Sequence, residues 1–156
     1  MFLIFPQQLS LCGYRNRFAD IGSAVAVRMQ LTRVIVSEIN DQHAIYLSEV
    51  EGSRSFPILI GEFEAAIINR RLLEGAPFRP LTHDLLKTVI ERLGGQPEEV
   101  VVTEMKDHTY FAVLKIRQND QVLEIDCRPS DAVALSVHFT PPLPIYVAEK
   151  VLEEVG

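Results

Sequence analysis

The chain is short of cysteine, of net positive charge and of long apolar runs, and each shortage excludes a class of protein. Two cysteines in 156 residues, Cys12 and Cys127, are too few and too far apart for a disulfide-stapled secreted scaffold or a zinc site. A reducing, cytoplasmic location is expected. No apolar run approaches the roughly 18 residues that a membrane-spanning helix needs, so no membrane partner is expected. Lys and Arg number 15 against 21 Asp and Glu, a net charge of −6. The chain as a whole therefore does not attract nucleic acid electrostatically, and any such contact must come from a local basic patch or a metal ion. The P-loop, GxGxxG, GxSxG, CxxC and HExxH patterns are all missing. With them go the strongest sequence signals of phosphate-loop, acyl-transfer and zinc chemistry.

What is present is ordinary for a folded domain: 47% hydrophobic and 23% charged residues, in a length that suits one domain with a real core. Residues 1–28 read differently from the rest. Met1-Phe2-Leu3-Ile4-Phe5 is apolar, and the first positive charge, Arg15, follows that run instead of preceding it as a secretory signal requires. Leu11 is too large for a lipoprotein cleavage site before Cys12. Met29 leads directly into a strand-like run. Residues 1–28 are therefore expected to be a poorly ordered extension or an upstream mis-assigned start, and 29–156 the domain. Without 1–28, which hold three arginines and one aspartate, the charge becomes −8.

Strands are expected over Leu31–Ile39, His43–Val50 and Arg54–Ile60, joined by turns at Asn40-Asp41 and Glu51-Gly52. They suggest an antiparallel meander whose third strand carries Pro57, an edge or bulge residue. A helix follows, with Gly61 as cap, Glu62 and Glu64 in its first turn, Ala65, Ile68 and Leu72 on one face, and Gly75 at its end. A second helix is expected after the Thr82 cap, with Leu85, Leu86, Val89, Ile90 and Leu93 as its buried stripe. The pattern then repeats. Strands over Glu99–Met105, Tyr110–Arg117 and Val122–Cys127 are separated by Asp107-His108 and Asn119-Asp120. A helix capped by Ser130, a proline-rich loop, a short strand over Pro144–Val147 and a last helix over Ala148–Val155 complete the chain. Two runs of antiparallel or mixed strands, each followed by helices, indicate a single α+β domain.

Two polar constellations carry candidate chemistry. Arg79-Pro80-Leu81-Thr82-His83-Asp84 enters a helix, where backbone N–H groups favour phosphate. A free imidazole titrates near neutrality, which makes His83 a candidate general acid or base. The plainer possibility is that Thr82 and Asp84 cap the helix and His83 is solvated. In Glu124-Ile125-Asp126-Cys127-Arg128-Pro129-Ser130-Asp131, Asp126 and Asp131 flank an arginine at a strand-to-helix turn. They can hold a divalent cation with Arg128 on a phosphate. Alternatively, an Asp–Arg ion pair fixes the turn and Asp131 complements the helix dipole. Glu64 reads most simply as a cap residue. Cys127 reads as a small buried residue. Arg70 and Arg71 can form a basic patch with Arg79, and read more simply as a solvated helix face.

Taken together, Ile60-Gly61 with Glu64-Ala65, Arg79 to Leu85, and Glu124 to Ala132 followed by Ala134-Leu135 resemble the bifunctional nuclease (DNase/RNase) domain family of bacteria and plants. The resemblance covers about residues 29–152. Cys127 stands where the family more often has alanine, a size-neutral change. The resemblance implies a compact α+β domain, a homo-oligomer, and activity on DNA and RNA. Its motif residues here are Glu64, Arg79, Thr82, His83, Asp84, Asp126, Arg128, Ser130 and Asp131. The expected function is hydrolysis of phosphodiester bonds with low sequence specificity. In that reading Asp126 and Asp131 hold Mg²⁺ or Mn²⁺, and His83, Asp84 and Glu64 are catalytic. Arg79, Arg128, Thr82 and Ser130 bind substrate. The alternative is a non-catalytic interaction module, or an anion sensor using the helix that begins near Thr82.

Overall fold

The computed structural model describes residues 25–37 and 42–155. Each run of strands forms a meander. In the first, β1 (Ala26–Ile35), β2 (His43–Glu49) and β3 (Ser55–Ile60) pair antiparallel. In the second, β4 (Gln96–Lys106), β5 (Thr109–Gln118) and β6 (Gln121–Cys127) do the same. The hairpins of the second meander turn on Asp107-His108 and Asn119-Asp120, all four at positive φ between 49° and 62°. Asn and Asp tolerate that region best, and it matches the twist of the flanking strands. The expected Asn40-Asp41 turn lies outside the described residues.

A four-residue strand, β7 (Ile145–Ala148), joins the two meanders. It pairs antiparallel with β1 and parallel with β4, giving one mixed sheet in the order β3-β2-β1-β7-β4-β5-β6. All four of its residues are buried, as a strand flanked by sheet on both sides should be. The sheet curls strongly. Phe56 of β3 and Tyr110 of β5 have ring centroids 6.0 Å apart, although five strand spacings, about 24 Å in a flat sheet, separate their strands. The main core fills the concave face with Ile45, Leu47, Val100, Val102, Leu114 and Val147. A smaller cluster of Ala26, Val101 and Tyr146 lies on the outer face.

The helices pack into the concavity: α1 (Glu62–Glu74), α2 (Thr82–Arg92), α3 (Pro129–Ser136) and α4 (Glu149–Val155). α3 is central, with seven buried residues including Ala132, Val133 and Leu135. α1 buries Ala65 and Ile68 as its spacing implied, and α4 buries Val151 and Leu152. The architecture is the expected α+β class. No helix among the described residues is long and apolar enough to cross a membrane.

Three expectations need correction. α2 buries no residue. Of its apolar positions only Ile90 packs against the core, while Leu85, Leu86, Val89 and Leu93 are exposed. Its N-cap is Leu81, so Thr82 is its first helical residue; Ser130 likewise lies inside α3, which is capped by Arg128 with Pro129 at the first position. Ordered structure also starts upstream of Met29. Ala26, Val27 and Arg28 pair with Ala148, Val147 and Tyr146; residues 1–24 lie outside the described residues.

Candidate functional site

α1 and α3 run side by side in the same direction, and polar side chains join them at both ends. At the first end, Arg128 donates through Nε to Asp131 Oδ2 at 2.8 Å and through Nη2 to Asp131 Oδ1 at 3.0 Å. Its Nη2 also donates to Glu64 Oε1 at 2.7 Å. The two acids hold this guanidinium firmly protonated. The Glu64 carboxylate lies over Gly61, where an added methyl would collide with Glu64 Oε2. Glycine leaves room there for the flexible end of that side chain. Both acids stand in the first turns of their helices, where negative charge complements the dipole.

Seven residues further along α1, roughly 10 Å at helical rise, Arg71 reaches the other end of α3. Arg71 donates to the Val137 and His138 carbonyls, each at 3.4 Å, and Lys87 of α2 donates to the His138 carbonyl at 3.1 Å. These are carbonyls left over at a helix C-terminus, where cations are also favoured.

Around them lies a denser cluster. Asp84 Oδ2 accepts the Leu81 N–H at 3.0 Å, and Asp84 Oδ1 lies 3.7 Å from Arg71 Nη1 and 3.9 Å from His138 Nε2. The His138 ring, 3% exposed, stacks on His83 with centroids 5.5 Å apart. Nδ1 of His138 lies 2.7 Å from the Ala134 carbonyl. A carbonyl only accepts, so Nδ1 carries the proton and Nε2 faces Asp84. Burial pulls the His138 pKa below its ordinary value, against the opposing pull of Asp84. Nδ1 of His83 and Nη1 of Arg71 are buried with no hydrogen-bond partner, which is unusual for groups of this polarity.

The structure thus joins Glu64 to Arg128 and Asp131, and His83 and Asp84 to Arg71, Lys87 and His138. It does not bring Asp126 to Asp131. β6 pairs Cys127 with Ala112, a residue of the concave core, and Asp126 with Val113, which packs on the outer cluster. Asp126 therefore projects from the sheet face opposite the helices. Both oxygens of Asp131 are taken by Arg128. Among the described residues no three His, Cys, Asp or Glu side chains are grouped to hold a metal ion. Arg79 and Thr82 are exposed, and Ser130 is buried in α3. Cys127 is half-buried. Burial first, then the nearby Asp126 and Asp131 charges, push its thiol up to about 11, far from nucleophilic.

His138 and Lys87 are participants that sequence reasoning missed as site residues, and Arg71, a basic-patch candidate, is mostly buried against Asp84 instead of on a solvated face. His138 lies 54 residues beyond Asp84 and meets it only through the packing of α2 on α3. The one local signal is a histidine just past the end of a helix, where cations collect.

A model of the bifunctional nuclease domain matches residues 45–156. An uncharacterised protein of Mycobacterium tuberculosis H37Rv is 35% identical over 128 residues, which are 82% of this chain and 75% of that protein. Bifunctional nuclease 1 of Oryza sativa subsp. japonica is 29% identical over 118 residues, 73% of this chain and 35% of the rice protein. Bifunctional nuclease 1 of Arabidopsis thaliana is 25% identical over 92 residues, 57% of this chain and 28% of that protein. The chain spans about a third of the length of these plant relatives.

Proposed function

The chain belongs to the bifunctional nuclease domain family, and from that premise we propose that it hydrolyses phosphodiester bonds of DNA and RNA at the His83–Asp84 cluster. The observation that supports this reading is the half-buried imidazole of His83 at the start of α2. Its Nδ1 has no partner, and it sits beside a carboxylate and a second imidazole. The cations Arg71 and Lys87 concentrate positive charge there in a chain of net charge −6.

In this proposal His83 moves the proton, as general base toward water or as general acid toward the leaving oxygen. Asp84 and the neutral His138 fix the surroundings of His83. Arg71 and Lys87, with exposed Arg79 from the loop before α2, offset charge developing on the phosphate. Arg128 joins Glu64 to Asp131 and holds α1 against α3 at the opposite end of the two helices. Assistance by Mg²⁺ or Mn²⁺ is a separate part of the proposal, and no step is routed through the ion.

A second reading, a non-catalytic binding module, is favoured by one specific feature. Arg128 is fully engaged by Glu64 and Asp131, and Arg71 and Lys87 already satisfy the end of α3. One experiment separates the two readings. Identically purified wild type, His83→Gln, Asp126→Ala and Asp131→Ala are assayed on single-stranded DNA and RNA with Mn²⁺, Mg²⁺ or EDTA. Cleavage that is lost in folded His83→Gln supports the enzyme. Loss in EDTA supports metal assistance. Equal cleavage by all four proteins identifies a contaminant and leaves the binding module.

A further inference from the structure

A chain of net charge −6 holds nucleic acid best where a patch of its surface departs from that average. The sheet face turned away from the helices is divided in this respect. Over the second meander it is acidic. Glu99 and Glu124 lie 3.0 and 4.0 Å from Lys115, and Asp126 shares the face of Glu124 on β6. Over the first meander it is basic. Arg28 of β1 pairs with Tyr146, a member of the outer cluster. Arg33 pairs with Tyr46, whose neighbours Ile45 and Leu47 both face the core. Both arginines therefore stand on the outer face. The one acid of β1, β2 and β3 is Glu49. It pairs with the core residue Met29, on the helix side, and accepts from Arg54. Among the described residues neither Arg28 nor Arg33 has a carboxylate partner.

Flat and hydroxyl-bearing groups surround these charges. The exposed guanidinium of Arg33 lies over the Tyr46 ring, 5.3 Å from its centroid, and its other side faces solvent. Next to Tyr46 on the edge strand β3 stands exposed Pro57, and Leu59 beyond it is 74% exposed. On the opposite flank Thr32, Ser48 and Ser55 form a row of hydroxyls, linked at 3.0 Å. Open sheet faces hold unpaired nucleic acid with such parts: an aromatic ring and a guanidinium plane on which bases stack, and cations and hydroxyls for the phosphates. A duplex keeps its bases stacked inside, and its grooves admit a protruding helix or ribbon instead of a flat face. The occupant that fits is a single strand. The His83 cluster lies with the helices on the other side of the sheet, so this surface anchors a strand and takes no part in the chemistry.

We propose that the outer face of the first meander, centred on Arg28, Arg33 and Tyr46, binds single-stranded nucleic acid without sequence preference. The proposal takes nucleic acid as ligand from the function proposed above and places it at a second site. The test is fluorescence anisotropy of a short labelled oligothymidylate with the full chain carrying His83→Gln, which keeps the probe intact. Tyr46→Ala is expected to weaken binding about fivefold or more, the loss of one stacked base. Arg28→Gln/Arg33→Gln is expected to weaken it as well, and to lower the slope of log K against log salt by about 1.4, about 0.7 for each phosphate contact. That pair decides the matter if Tyr46→Ala does not fold. Arg92→Gln/Lys106→Gln removes the same charge from exposed positions on α2 and at the end of β4, and leaves affinity and slope unchanged. Binding untouched by the platform substitutions overturns the proposal, as does an equal loss in the control pair or tighter binding of duplex than of single strand. Platform-dependent binding in a chain whose wild type cleaves nothing upholds the anchoring surface and removes the nuclease reading; cleavage with binding indifferent to the platform does the reverse.

Discussion

Asp84 separates a chemical role from a structural one, because its three contacts respond differently to two substitutions. It accepts the Leu81 N–H at the start of α2, and it faces Arg71 at 3.7 Å and His138 at 3.9 Å. Asn keeps an acceptor for the cap and removes the charge; Ala removes both. Loss of a cap acceptor costs about 1 kcal/mol. Loss of a partly buried ion pair at this separation costs about another 1 kcal/mol. Urea unfolding is therefore expected to give losses of about 1 kcal/mol for Asp84→Asn and about 2 kcal/mol for Asp84→Ala. A domain of ordinary stability, about 5–15 kcal/mol, stays more than about 99% folded after either change. Destabilisation alone then removes almost no activity at 25 °C. If the cluster is the reactive site, both variants lose about a hundredfold or more in oligonucleotide cleavage, and Asn fares little better than Ala. Wild-type cleavage by Asp84→Asn, with the expected loss of stability, would refute the catalytic assignment and leave Asp84 a cap.

Other consequences follow from single contacts. Gly61→Ala crowds only the flexible end of Glu64, which pairs with exposed Arg128; the carboxylate should turn aside, and urea unfolding should show a loss of no more than about 1 kcal/mol. His138 has a pKa held below 6.5 by burial, so the folded state prefers it neutral. Its contribution is complete above about pH 6.5 and is lost as pH falls through that value toward the folded-state pKa. His138→Gln should therefore lose less urea stability than wild type between pH 7 and 5. Cys127, its thiol raised to about 11, should stay unalkylated by iodoacetamide at pH 8 in native protein and react once unfolded, as read by peptide mapping. A chain begun at Met29 loses three strand pairs and the hydrogen bonds from Glu149 N–H to Val25 O and from Val50 N–H to Arg28 O. It should unfold at lower urea than a chain begun at Val25, and equal midpoints would show that these pairs contribute nothing.

The meanders were legible because a half-buried antiparallel strand writes its inward face at every second residue. Ile45 and Leu47 in β2, and Ala112, Leu114 and Ile116 in β5, all face the core as their alternation implied. What joins the meanders was harder to read. β7 is four residues long, too short for periodicity to speak, and its parallel pairing with β4 comes from its place between two meanders. α2 was misread for a related reason. Periodicity reports that a helix has an apolar face but is silent about which way that face turns. Leu85, Leu86, Val89 and Leu93 form a regular stripe, yet all four are exposed and Ile90 alone of the apolar arc packs on the core.

The site shows the same division more sharply. Glu64 and Arg128 are 64 positions apart, as the motif order alone would leave them, and they meet because parallel packing of α1 and α3 brings two helix starts together. Asp126 and Asp131 are five positions apart and do not meet. Strand pleating sends one side chain to each face of the sheet, and Arg128 occupies both oxygens of the other. Nearness in sequence is therefore a poor guide to a shared ligand set across a strand-to-helix turn. Dipole complementarity is a better guide to charge placement, since it requires only a helix end. Acids stand at the starts of α1, α2 and α3, and Arg71 and Lys87 stand at the end of α3. The buried, unpartnered Nδ1 of His83 fits none of these local rules. That is why we propose His83 as the reactive group, where helix capping and ion pairing leave a polar atom unexplained.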